Sequence, residues 1–195
     1  MRRPVLKKKL KWNTNIMTKK DLQELFKIED ILDFPKAIAE LYESDSQKKT
    51  FVYKKLIKLN NYDMSYDWFQ NIYEEEFAQR KQNKQDFTPN CVSILLSKLT
   101  GTEKGIIYEP TAGNGSLIIA NWNYRKSKLV EEFDAEEHPV ECWELSDRSI
   151  PLLLLNLSIR GIVGAVNHGD VLSKEIKAKY ILTSDNQFSK IEKIK

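Results

Sequence analysis

The chain has 195 residues, 30% of them charged and 41% aliphatic or aromatic, which is the composition of a globular protein. It contains no apolar run long enough to span a bilayer, its basic N-terminus lacks the apolar stretch of a secretory signal, and Cys91 and Cys142 are too few for a disulfide scaffold. Neither cysteine has a second cysteine or a histidine at zinc-binding spacing, so no metal site is expected, and a reducing cytoplasm is the expected compartment.

The net charge of +3 hides an asymmetry: residues 1–20 carry eight Lys and Arg and no acid, which leaves −5 on the remainder. This arm (Arg2, Arg3, Lys7, Lys8, Lys9, Lys11, Lys19, Lys20) suits a phosphate backbone or an acidic partner, and equally a solvated tail. Helical signals follow. Thr18 and Asp21 form a capping pair ahead of Leu22, Leu25 and Phe26. Asp33 and Pro35 open a second helix with Ala37, Ile38 and Leu41. A third is expected over 46–59, with Phe51, Val52, Leu56, Ile57 and Leu59 on its apolar side and a stop at Asn60-Asn61. A fourth starts near Ser65 and carries Trp68, Phe69, Ile72, Tyr73 and Phe77 at helical spacing. Those aromatics fit a helix-packing core or, alternatively, a base-stacking surface.

The polar stretch 80–85 marks an internal boundary, after which strands and helices alternate. Asn90 caps a helix with Val92, Leu95, Leu96 and Leu99, ended by Gly101. Strands are expected over 105–108, 140–143, 162–167 and 180–183, with a helix over 146–160 stopped by Gly161. Strand–helix–strand order predicts a doubly wound sheet of about four parallel strands. The expected organisation is a basic arm (1–20), a helical region (21–85) and an α/β core (86–195).

Three features fall at the carboxyl ends of successive strands, where open α/β sheets bind ligands. The first is the turn Glu109-Pro110-Thr111-Ala112-Gly113-Asn114-Gly115, whose glycines let backbone approach a ligand at a helix N-terminus. The second is Glu144, a carboxylate able to accept both hydroxyls of a ribose. The third is Asp170 in His168-Gly169-Asp170-Val171, able to accept from an adenine amino group. Each has a plainer reading as a tight turn, a solvated strand-end acid or a capping Asp. Together they describe a site for an adenosine-containing cofactor.

These elements resemble the adenine-specific (N6) DNA methyltransferases that use S-adenosylmethionine, in particular the modification subunit of type I restriction systems and its phage-borne relatives. Asp86-Phe87-Thr88-Pro89 is similar to that family's Phe-Thr-Pro element, which implies that Phe87, Thr88 and Pro89 face the methionine part of the cofactor. Glu109 to Gly115 resembles its Asp-Pro-x-x-Gly-x-Gly loop, with Glu in place of Asp. Trp143-Glu144-Leu145 resembles the ribose-binding strand end, and Gly169-Asp170-Val171-Leu172 the adenine-binding element. The resemblance implies a Rossmann-like methyltransferase core, truncated and preceded by helices. It implies S-adenosylmethionine or S-adenosylhomocysteine as cofactor, held by Glu109, Pro110, Thr111, Ala112, Gly113, Gly115, Glu144, Leu145, Asp170 and Val171.

The family's catalytic Asn/Asp/Ser-Pro-Pro-Tyr/Phe is missing, for the chain contains no Pro-Pro. The nearest segment is Asp185-Asn186-Gln187-Phe188, in which Asp185 and Phe188 stand where the outer catalytic residues would. Without the prolines the backbone is not preset to aim a carbonyl at the target amine. The expected function is therefore a cofactor-binding protein, inactive alone, acting as a DNA- or protein-binding module. One alternative is an adenine methyltransferase completed by a partner subunit. Another is an anti-restriction or regulatory interaction protein with a vestigial pocket. A half-sheet exposes an edge, so a protein partner or second copy is expected to cover it.

Overall fold

The computed structural model describes residues 17–77, 88–101 and 104–194. The arm through residue 16, the polar boundary at 80–85 and Phe87 lie outside the described residues.

Four helices come first. α1 (Lys19–Phe26) is opened by a reciprocal capping box, in which Thr18 Oγ1 accepts from the Asp21 N–H and the Asp21 carboxylate accepts from the Thr18 N–H. α2 (Phe34–Tyr42) carries Pro35 in its first turn, and α3 (Ser46–Leu59) ends at Asn60 as its sequence predicts. The buried face of α3 is Val52, Tyr53 and Leu56, while Phe51 points to solvent. α4 (Gln70–Glu76) starts later than expected, because the side chains of Asp63 and Asp67 take the N–H groups of Ser65 and Phe69 and hold the preceding segment in turns. Trp68, Phe69, Ile72, Tyr73 and Phe77 are all buried, so they build a core and offer no stacking surface.

Five strands form one sheet in chain order: β1 (Ile107–Glu109), β2 (Val140–Glu144), β3 (Gly164–Asp170), β4 (Glu175–Asp185) and β5 (Phe188–Lys193). β1–β2 and β2–β3 are parallel. The expectation of four parallel strands is corrected here: β4 and β5 are antiparallel additions. The connection from Asp170 to Glu175 holds only residues 171–174, too short for the crossover a parallel strand needs. β4 is also longer than expected, because Ile176, Ala178 and Tyr180 alternate with Lys177 and Lys179 ahead of the apolar run. A two-residue turn with Asn186 in the left-handed region (φ 57°) starts β5. Gly164 and Gly169 are demanded by the sheet itself, since a Cβ would lie 1.9 Å from the Val140 carbonyl oxygen and 2.0 Å from that of Glu175, respectively.

Two crossover helices flank the parallel strands. α6 (Ser116–Leu129) links β1 to β2, and α7 (Ser149–Ser158) links β2 to β3. Pro151 sits in the first turn of α7, where its missing N–H has no intrahelical partner, and Gly161 ends that region at φ 70°. α7 is apolar all round because two cores meet on it. Leu152, Leu155 and Ile159 close the core built by α1–α4, whereas Leu153, Leu154 and Leu157 pack with Ile118, Val140, Cys142, Val166 and Leu182 of the sheet side.

α5 (Asn90–Thr100) behaves differently from its sequence pattern. Its buried face is Ser93 and Ser97, which let it pack closely on α6, and Thr100 Oγ1 accepts from Asn121 Nδ2 at 2.7 Å. Val92, Leu95, Leu96 and Leu99 are exposed, Leu99 by 73%. Of these, Leu96 lines a cavity with Ile107 and Tyr108 of β1, the sheet's outer strand, and Tyr108 and the preceding Ile106 are also exposed. The opposite edge, β5, presents exposed Lys190, Glu192 and Lys193, charges that discourage strand pairing. Among the described residues no helix is long and apolar enough to cross a membrane.

Candidate functional site

The carboxyl ends of β1, β2 and β3 lie side by side, with Glu109 opposite Cys142 and Glu144 opposite His168. Glu109 turns back on its own loop, its Oε1 accepting from the Thr111 N–H at 3.0 Å and the Thr111 hydroxyl at 3.3 Å. The Ala112 N–H donates to the Trp143 carbonyl at 2.8 Å, which fastens the turn to β2. Gly113 and Gly115 both have positive φ (55° and 96°), and Gly115 leads directly into α6. A Cβ on Gly115 would meet Leu153 Cδ1 at 3.0 Å, so this glycine also lets the turn sit close on α7.

Glu144 joins two of the loops. Its Oε2 accepts from the Gly113 N–H at 2.7 Å and its Oε1 from the Ser146 N–H at 2.7 Å. A carboxylate offers about four lone-pair positions, so each oxygen keeps acceptor capacity for a hydroxyl. Asp170 Oδ1 accepts from the Leu172 N–H at 2.8 Å, leaving Oδ2 as an acceptor at the end of β3. Leu145 and Leu172, just past the ends of β2 and β3, are exposed, Leu172 by 90%, and Val171 is half-buried. His168 Nε2 lies 2.9 Å from Asp147 Oδ1, which also receives Lys177 Nζ at 3.0 Å. The Lys177 hydrogen bond holds the Asp147 carboxyl below its ordinary range. Burial pushes the Cys142 thiol up, so it is no nucleophile at neutral pH. Among the described residues no cluster of three or more His, Cys, Asp or Glu can hold a metal.

The sequence-predicted residues Glu109, Pro110, Thr111, Ala112, Gly113, Gly115, Glu144, Leu145, Asp170 and Val171 all belong to these three strand ends. Thr88 and Pro89 lead into α5, with the Thr88 carbonyl 3.5 Å from Gln70 Nε2. Farther along, α5, β1 and α6 line a cavity of about 180 Å³ that includes Ser93, Ser97, Tyr108, Glu109 and Leu117. Asp185 and Phe188 are not brought to this site. Because β4 runs antiparallel, with Leu182 opposite Gly164, both lie beyond the amino end of β3. Phe188 packs edge-to-face on Tyr53 at 5.1 Å, and Asp185 Oδ1 accepts from Asn186 Nδ2 at 3.0 Å.

Sequence reading missed the layer beneath the turn. Asn156 Nδ2 donates to the Asn114 carbonyl at 2.9 Å and to Asp67 Oδ1 at 2.7 Å. Ser116 Oγ donates to Asp67 Oδ2 at 3.2 Å. Arg160 donates to the Asn156 side-chain oxygen (2.9 Å) and to the carbonyls of Met64 and Tyr66 (2.9 and 2.6 Å). Burial lifts the Asp67 carboxyl above its ordinary value, against the pull of the Phe69 N–H, Asn156 and Arg160. Burial likewise lowers the Arg160 guanidinium to about 10. The available signal was a lone Asn156 in the run Leu152–Leu157, since a polar residue in a wholly buried helix must find partners.

Residues 64–191 match the N-6 DNA Methylase family. Among solved structures, the chain is similar to the type I restriction-modification system methyltransferase subunit from Streptococcus thermophilus, with 17% identity, a TM-score of 0.42, and coverage of 82% of this chain. The match spans 40% of that subunit's length. No curated protein matches. With the glycine turn and both strand-end acids inside a matched segment covering well over half its length, this chain belongs to the N-6 DNA methylase family.

Proposed function

We propose that the chain binds S-adenosylmethionine or S-adenosylhomocysteine at the carboxyl ends of β1–β3, does not transfer a methyl group by itself, and serves as a DNA- or protein-binding module. The observation that carries the reading is Glu144, whose carboxylate bridges the glycine turn and the loop after β2 while retaining acceptor capacity. The residues present fit the adenosine half of such a cofactor. Glu144 suits the ribose hydroxyls, Asp170 suits an exocyclic amine, and both polar atoms of the buried Asn114 side chain lack protein partners within the turn. When bound, the cofactor's sulfonium supplies an electrophilic methyl group. On this reading the chain's residues bind and orient it: Gly113 and Gly115 bring backbone close, and the exposed Leu145 and Leu172, just past the ends of β2 and β3, offer apolar surface.

Two observations support the absence of catalysis in the isolated chain: no Pro-Pro occurs in the sequence, and Asp185 and Phe188 stand at the far end of the sheet. The basic residues among 1–20 support a phosphate-binding role. A second reading, a methyltransferase completed by a partner chain, draws on β1 having no outer neighbour strand among the described residues and on the exposed apolar residues of α5. Calorimetry of S-adenosylmethionine binding to the wild type and Glu144→Ala tests the pocket, and transfer of labelled methyl groups to DNA tests the inactivity. Binding that is lost in the variant, with no transfer by the purified chain, is the expected result. Transfer by the chain alone would overturn the inactive reading, and no binding by the folded wild type would overturn the pocket.

A further inference from the structure

The segment between α3 and α4 contributes one side chain to the underside of the glycine turn. Asp67 is 5% exposed and belongs to the helical region, yet its two oxygens face the cofactor-loop side of the molecule. Oδ2 receives the hydroxyl of Ser116, the first residue of α6, at 3.2 Å. Oδ1 receives Asn156 Nδ2 at 2.7 Å, and that same amide nitrogen holds the Asn114 carbonyl at 2.9 Å. The turn is therefore held at its middle and at its exit, both times through Asp67. Oδ1 also accepts the Phe69 N–H at 2.9 Å, which fixes the carboxylate to its own segment. Arg160 closes the set from below by holding the Asn156 oxygen, so the amide of Asn156 can present only its nitrogen upward.

Other tethers run the same way. Tyr73 of α4 meets the Ser149 hydroxyl at 2.8 Å and the Ser146 hydroxyl at 3.3 Å, and the Ser146 N–H is the one that Glu144 holds. The helical region thus reaches the supports of both the glycine turn and Glu144.

We infer that Asp67 is a positioning residue for the adenosyl-ligand site, setting the Gly113–Gly115 backbone through Ser116 and Asn156, and that ligand binding is thereby coupled to the packing of the helical region on α7. The inference rests on the cofactor reading proposed above. Because coupling between two equilibria is reciprocal, ligand binding in turn stabilises the α4 docking.

The test compares wild type, Asp67→Ala, Asp67→Asn and Ser116→Ala by calorimetry with S-adenosylmethionine and by amide hydrogen exchange. Asn keeps an oxygen for Phe69 and Asn156 and can donate to the Ser116 hydroxyl, so the hydrogen-bond set survives without the charge. Asp67→Ala is expected to bind about tenfold or more weakly, with faster exchange at Gly113 and Gly115 and unchanged exchange in β3 and β4. Asp67→Asn is expected to restore affinity to within about threefold of wild type, a rescue that loss of general stability would not give. Folded Asp67→Ala with wild-type affinity and wild-type exchange at the turn overturns the inference, and so does Asp67→Asn as weak as Asp67→Ala. Should Asp67→Ala fail to fold, Ser116→Ala removes only the hydroxyl seated on Oδ2. About threefold weaker binding and faster exchange at Gly115 are then expected, and wild-type values overturn the inference. Should the wild type bind no ligand, the cofactor reading fails, and the exchange rates alone decide whether Asp67 holds the turn.

Discussion

Glu144 Oε2 accepts the Gly113 N–H at 2.7 Å, so the acid that ends β2 reaches back over the turn that ends β1. With Ser146 on its other oxygen, the carboxylate ties together two loops that would otherwise move separately. Glu144→Ala frees two backbone N–H groups at once. We predict a stability loss of about 1–3 kcal/mol and a fall in S-adenosylmethionine affinity of about 10- to 100-fold. Glu144→Gln keeps one accepting oxygen and should fall between the two. Thermal melts and calorimetry check this, and a Glu144→Ala variant with wild-type affinity would dissociate the acid from the ligand.

Asp67 makes stability depend on pH in an unusual direction. Its carboxyl is raised in the folded state, chiefly by burial, so the native protein holds this proton more tightly than the unfolded chain does. Its contribution is therefore greatest below the ordinary carboxylate value of about 4 and declines as pH rises through the raised folded value. Asp67→Asn removes the titration. The melting temperature of wild type minus that of Asp67→Asn should thus decrease from about pH 4 upward and then level off. A difference that grows with pH would show that the Arg160 attraction outweighs burial.

The elements near the site were legible because their signals are local. The glycines at 113 and 115 and the cap at Thr18 are local signals, matched by positive φ at both glycines and a reciprocal Thr18–Asp21 cap, and Glu144 and Asp170 are the last residues of β2 and β3. What escaped was set by pairing across the chain. β4 runs antiparallel because the four residues after Asp170 permit nothing else, and the run at 180–183 alone carries no direction. The buried face of α5 is serine rather than leucine because close approach to α6 decided the packing, against the hydrophobic pattern. Asp67 was hidden for the same reason: its partners Ser116 and Asn156 lie 49 and 89 residues away.

If the basic arm contacts phosphates, deletion of residues 1–16 removes six Lys and Arg and spares the Thr18 cap. Wild-type affinity for duplex DNA should then fall steeply with salt, with a logarithmic slope of about −0.9 per phosphate contacted, and the deletion should flatten that slope. Fluorescence anisotropy across a salt series measures it. Equal slopes in both proteins would move the DNA contact away from the arm.

α5 supplies the last prediction. Leu95 and Leu99 are 55% and 73% exposed, and they are one helical turn apart on α5. Replacing both with Lys removes apolar surface from water without opening a core, so the melting temperature should change by no more than about 0.5 kcal/mol per site would produce. Ser97→Leu does the reverse. It forces a large side chain into the α5–α6 contact, where Ser97 is 3% exposed, and should cost about 1–3 kcal/mol by overpacking. If a second copy or a partner covers this face, light scattering or co-purification should show association that Leu95→Lys/Leu99→Lys weakens while both melts stay superimposable. A large destabilisation by the double Lys variant would mean that these leucines serve the fold of the chain itself.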